Sequence, residues 1–147
     1  WRSFQDNFAE YIRPFEEVVD TLQSLSERVA LALVSNGGAN HQRAKLDHAG
    51  LTDYFDPDAI LISEEISSSK PDLAIFKAAL ERTQSVAAET LFVGDDPDRD
   101  ILPAHKLGIK TGWVSHGRHF PAGRHVPDLF VNSFVDIKRW LEAEESA

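Results

Sequence analysis

Apolar residues at Phe15, Val18, Val19, Leu22 and Leu25 recur at three- and four-residue spacing, which predicts a helix with one face against a core. The period then changes. Residues 30–34 form a short apolar run of the kind that makes a buried strand, and a helix follows over 39–49, with Gly50 as its C-cap. The same alternation repeats downstream: a short strand at 59–62, a helix at 71–83 carrying Ile75, Phe76, Ala79 and Leu80, and a strand at 90–93. Next comes a helix from near Asp100 to Gly108, placed so that Pro103 stays in its first turn. A strand at 109–114, a short edge strand at 129–131 and a terminal helix at 134–144 complete the chain, without internal repeats. Strands alternating with helices predict an α/β fold, a Rossmann-like parallel sheet with helices on both faces.

Length and composition narrow the class. A chain of 147 residues suits one domain, and one of this size buries roughly 70% of the surface its unfolded chain exposes. The absence of cysteine excludes a disulfide framework, a thiol nucleophile and thiolate metal ligands. No apolar stretch reaches the roughly 20 residues that span a membrane, and no signal-peptide pattern is present. A cytoplasmic location and no membrane partner are expected. The net charge of −9 opposes nucleic-acid binding, which needs Lys and Arg against phosphates. It also means that any anionic substrate must be drawn in by local groups.

Three turns carry candidate chemistry. The first follows residues 30–34, where Ser35-Asn36-Gly37-Gly38 places a hydroxyl and backbone N–H groups before a helix, a setting that suits phosphate. The second is Ser69-Lys70-Pro71-Asp72, in which Pro71 fits the first helical position and Lys70 lies beside the cap. A cation there opposes the helix dipole unless carboxylates or a bound phosphate compensate. The third is Leu91-Phe92-Val93-Gly94, which leads into Asp95, Asp96, Asp98 and Asp100. Carboxylates clustered at the carboxyl end of a strand stand where open α/β sheets bind ligands, and they are the donors that Mg2+ takes. Taken singly, each turn also has a plain reading: a capped strand-to-helix turn, a surface lysine, a solvated acidic turn.

Taken in order, a hydroxyl, a lysine and an acidic pair resemble the second, third and fourth motifs of the haloacid dehalogenase-like hydrolase superfamily, whose members are mostly phosphatases. The resemblance covers residues 12–141. It implies that Ser35 and Lys70 bind the transferring phosphoryl group, with Asn36 and Gly37 at the same substrate-binding turn. It implies that Asp95 ligates Mg2+, that Asp96 is the next candidate ligand, and that Asp100 supports the metal shell through water or a hydrogen bond. The implied activity is Mg2+-dependent hydrolysis of a small phosphorylated metabolite through an aspartyl-phosphate.

One motif of the superfamily is absent. No Asp-x-Asp followed by Thr or Val stands after a hydrophobic strand anywhere in the chain; Asp56/Asp58 has no strand before it, and Asp96/Asp98 and Asp98/Asp100 lie inside the acidic loop. The missing motif would supply the nucleophile and the general acid/base, and its strand would be the central one of the sheet. Residues 1–12 resemble the last helix of an inserted cap domain, with Arg13-Pro14-Phe15 the return to a core at 13–147. The chain is therefore expected to be the carboxyl-terminal part of a longer protein, with its first, central strand missing, and to be inactive alone. Two alternatives stand beside the phosphatase: a 2-haloacid dehalogenase of the same superfamily and a non-catalytic interaction fragment. A dehalogenase would need no Mg2+ and would have no use for the Asp95-Asp96 pair. A response-regulator receiver is excluded by motif order, because there the acidic pair comes first. His116, His119 and His125 match no familiar zinc spacing and are expected, with Arg118 and Arg124, in a solvated loop at the rim of the site. Residues 142–147 form an acidic tail expected to fray.

Overall fold

The computed structural model describes residues 16–146. The expected cap remnant at 1–12 and the Arg13-Pro14-Phe15 return lie outside the described residues. The first helix, α1 (Glu16–Ser26), buries Leu25 and Thr21 on one side. Strand β1 covers Leu33–Ser35 rather than 30–34. Its length is set by its neighbour, because Leu33, Val34 and Ser35 pair with the three residues of β2 (Ile60–Ile62) and Ala30 to Ala32 have no partner to extend the ladder.

Helix α2 (Ala39–His48) ends at Gly50, whose φ of +71° turns the chain, and whose N–H bonds Asp47. A single turn of helix, α3 (Ser63–Ile66), leaves β2 directly and was not legible in the periodicity. Helix α4 (Leu73–Thr83) begins later than the sequence pattern suggests. The Asp72 N–H bonds the Ser69 carbonyl at 2.9 Å and closes a turn over a cis Lys70–Pro71 bond, so Pro71 belongs to this turn and not to the helix.

Beyond β3 (Leu91–Gly94) the chain makes a π-helical turn over Pro97–Ile101 and then α5 (Leu102–Lys106), with Pro103 in its first turn as expected. Strands β4 (Lys110–Val114) and β5 (Leu129–Val131) and helix α6 (Val135–Glu145) complete the fold. Helix α6 continues through Glu145, into the acidic tail. Glu144 takes Lys110 at 3.1 Å, and Glu142 and Glu145 flank Arg28 in the turn after α1.

Among the described residues every paired strand is parallel to its neighbour, and the strands form two sheets, β1-β2 and β3-β4-β5, with no ladder between β1 and β3. Burial is inverted relative to a complete sheet. Outer strand β2 is buried throughout while β1 is only half-buried, and the centre of β4 is buried while β3 is half-buried. The incomplete part of the sheet therefore lies along the free edges of β1 and β3. A parallel sheet covered on both faces by helices, lacking strands at this place, matches the expected Rossmann-like architecture.

Side-chain alternation along the strands divides the core. Val34, Leu61 and Phe92 point to one face and meet Ile75 and Phe76 of α4 and Ala104 of α5. The opposite face of the smaller sheet, with Leu33, Ile60 and Ile62, packs on Leu46 of α2. The opposite face of the larger sheet, with Leu91, Val93, Val114, Leu129 and Val131, packs on Leu25 of α1 and Ile137 of α6. Because β1, β2 and β3 share the α4–α5 core, the carboxyl ends of both sheets are held beside one another.

Candidate active site

The chain leaves β3 at Gly94 and immediately folds back over Asp100. This residue is 3% exposed, and both its carboxylate oxygens are hydrogen-bonded. Its Oδ2 accepts the N–H groups of Asp95 and Asp96, each at 3.1 Å, and its Oδ1 accepts the Lys70 ammonium at 2.6 Å. Burying a carboxylate is costly unless it is paired and hydrogen-bonded; here both conditions are met. Asp100 thereby ties the acidic loop to the segment that precedes α4.

Lys70 is fixed at both ends. Its amine reaches Asp100 and lies 5.9 Å from the centroid of the Phe92 ring. Its backbone N–H and C=O are both bonded by the side-chain amide of Asn36, at 2.9 Å each. Asn36 directly follows Ser35, the last residue of β1, so the hydroxyl turn, the lysine and the acidic loop join into one network.

The hydroxyl turn differs from expectation in one respect. The Gly37 N–H bonds the Ser63 hydroxyl at 2.9 Å, and the Ala39 N–H at the start of α2 bonds Glu64 Oε2 at 2.5 Å. These two amides are occupied from α3 and are not open to an anion. Gly37 itself has φ of +144°, a backbone conformation that favours glycine. Ser63 and Glu64 were missed by the sequence reading; Ser-Glu directly after a buried strand is the signal that could have found them.

The other carboxylates have distinct settings. Asp96 Oδ1 caps the π-helical turn by accepting from the N–H groups of Asp98 and Arg99, at 2.9 and 3.1 Å. Asp95 points outward with a side chain 58% exposed, 3.9 Å from His116 Nε2 and 4.0 Å from Arg118. Its carbonyl is held from β4 and the loop beyond, by Trp113 Nε1 at 2.8 Å and by Arg118 at 3.1 Å. Arg124 pairs with Asp98 at 3.1 Å, and His125 stacks on His105 of α5 with centroids 3.6 Å apart. The loop after β4 thus does lie against the acidic loop. Sequence spacing singled out its arginines and histidines, but nothing in it pointed to Trp113.

Among the described residues no three His, Cys, Asp or Glu side chains converge as a metal cage. Mg2+ does not need one, since it binds one or two carboxylates and completes its octahedron with water and phosphate oxygens. The donor chemistry fits that pattern: Asp95 offers hard oxygens at the open end of a strand, and Asp100 already has both oxygens engaged. The Lys70 ammonium is tied to the acidic loop through Asp100, and a fixed cation of this kind suits a multiply charged oxyanion.

A family model for haloacid dehalogenase-like hydrolases matches residues 1–114. A pyrimidine 5'-nucleotidase of Escherichia coli is 32% identical over 141 residues, covering 95% of this chain and 61% of that protein. A glyceraldehyde 3-phosphate phosphatase of Methanocaldococcus jannaschii is 35% identical over 138 residues, 90% of this chain and 60% of its own length. The (S)-2-haloacid dehalogenase 2 of Pseudomonas sp. is 33% identical over 132 residues, covering 88% of this chain and 56% of that enzyme. Among solved structures, a hydrolase of Bacillus subtilis bound to magnesium superposes with a TM-score of 0.84 at 23% identity, over 95% of this chain and 61% of that one. The last likeness concerns the fold alone. The chain therefore spans less than two thirds of the length of these relatives.

Proposed function

Because this chain belongs to the haloacid dehalogenase-like hydrolase family, we propose that its Lys70–Asp100 network serves a Mg2+-dependent phosphohydrolase acting on a small phosphorylated metabolite. The observation that carries this reading is the buried pair itself. Lys70 Nζ is held 2.6 Å from an Asp100 carboxylate whose other oxygen orients the Asp95 and Asp96 amides, so one cation and one acidic loop are fixed together. A nucleophile and general acid/base are needed beside them, and these would come from an aspartate-bearing strand seated along the free edges of β1 and β3.

In this mechanism an aspartate of that strand attacks phosphorus, the bond to the leaving alcohol oxygen breaks, and water then cleaves the aspartyl-phosphate. The Ser35 hydroxyl donates to a phosphoryl oxygen. Lys70 neutralises the phosphoryl oxygens and the attacking carboxylate, the positioning and electrostatic work that dominates phosphoryl transfer. Asp95 would hold Mg2+, with Asp96 the next oxygen donor, and bound Mg2+ would supply further charge neutralisation there. Asp100 acts from behind, by holding Lys70 and the loop amides.

Haloacid dehalogenases at 33% identity support a second reading in which the same lysine assists halide displacement. The phosphatase is preferred because a Mg2+-free dehalogenase has no need of the Asp95-Asp96 pair. The test is Asp95→Asn in the complete protein. Phosphate release from small phosphate esters should fall by about a hundredfold or more, the scale on which electrostatic partners of a transition state act. Unchanged phosphate release would remove Asp95 from the mechanism.

A further inference from the structure

Asn36 makes an unusual use of its amide. Nδ2 donates to the Lys70 carbonyl and Oδ1 accepts from the Lys70 N–H, both at 2.9 Å, so one side chain brackets one residue's backbone in both directions. The amide supplies both the donor and the acceptor that this needs, and a carboxylate cannot, because it has no N–H for the carbonyl. The bracket lies at the end of β1, and the far end of the lysine is held by Asp100.

We infer that Asn36 is a positioning residue that acts through Lys70, fixing its backbone so that the ammonium stands at Asp100. It does not use its amide to grip a phosphoryl group. The neighbouring clamp is separate: Ser63 brackets Gly37, accepting its N–H at 2.9 Å and donating to its carbonyl at 3.3 Å. Loosening the turn at Gly37 and releasing Lys70 are therefore different events. This assignment takes from the phosphohydrolase reading only the importance of Lys70, and its test needs no activity.

The test is competitive acetylation of the complete protein with acetic anhydride, read lysine by lysine by mass spectrometry. In the unaltered protein Lys70 is protected, with a side chain 15% exposed. Asn36→Ala should raise its labelling rate about tenfold, the effect of losing two hydrogen bonds of ordinary strength. The rates at Lys45, Lys77, Lys106, Lys110 and Lys138 should stay as they were. Ser63→Ala should leave the Lys70 rate within about twofold of the unaltered protein, since no bond to Lys70 is removed. Equal labelling of Lys70 with and without Asn36, or an equal rise in the Ser63 variant, would overturn the assignment. If Asn36→Ala does not fold, amide exchange in the unaltered protein decides. The Lys70 N–H should exchange at least about tenfold more slowly than an open amide, and exchange at the open rate would refute the bracket. Loss of phosphatase activity elsewhere in the protein bears on none of these readings.

Discussion

The α-carbon of Gly94 and the carboxylate of Asp100 leave no room for a side chain between them: a Cβ built at position 94 would stand 2.4 Å from Asp100 Cγ and Oδ2. The glycine at the end of β3 is there to let Asp100 close over the loop amides and reach Lys70. Gly94→Ala should force the carboxylate away and cost about 1–3 kcal/mol, as overpacking of a tight site does. Urea denaturation measures the loss. The Asp95 and Asp96 amides should also lose protection from hydrogen exchange, and protection at the unaltered level would mean that Asp100 had not moved.

Removing the lysine leaves Asp100 buried with only its two amide donors. Lys70→Met should destabilise the chain by about 3 kcal/mol, the scale for breaking a buried ion pair on one side. Adding Asp100→Asn should recover part of that loss, because no charge is then stranded. A double variant whose cost equals the sum of the single ones would show that the two residues do not interact.

Away from the site, Arg43 Nε and Nη2 bond the two oxygens of Glu65, both at 2.8 Å. This hydrogen bonding, with the attraction of the guanidinium behind it and desolvation opposing, holds the Glu65 carboxyl below its ordinary 4.5. A carboxyl lowered on folding contributes stability above its unfolded value, and that contribution is lost as pH falls through the folded one. A carbon-13 titration of Glu65 should show a midpoint below 4.5, and Arg43→Ala should return it towards that value. The pair is largely exposed, so its effect on overall stability should be small.

The 147 residues alone should release no phosphate above background. No Asp-x-Asp followed by Thr or Val stands after a strand in them, and in a well-studied hydrolase removal of the nucleophile costs roughly a millionfold in turnover. Incubation with a small phosphate ester and Mg2+ checks this, and turnover within a hundredfold of a typical family phosphatase would place a nucleophile inside the chain after all.

Much of this could be read from the residues. Strand–helix alternation located every strand to within a few positions, because buried parallel strands are short apolar runs whatever surrounds them. The acidic loop and Lys70 stood out for the same reason: carboxylates after Leu91-Phe92-Val93 and a cation at a helix start both need a compensating partner. What stayed hidden depended on folding. That Asp100, among four aspartates, is the buried one follows from the π-helical turn, which no period announces. That Asn36 meets Lys70 across 34 positions, and that Ser63 and Glu64 occupy the Gly37 and Ala39 amides, are long-range pairings without local signature. The shortening of β1 came from its three-residue partner and its free edge.

The most direct test of the account measures inorganic phosphate and halide side by side. The complete protein would be given small phosphate esters and 2-chloropropionate, each with Mg2+ and with EDTA. The account predicts phosphate release that disappears in EDTA and no chloride release under either condition. Chloride release that persists in EDTA, with no phosphate formed, would contradict it.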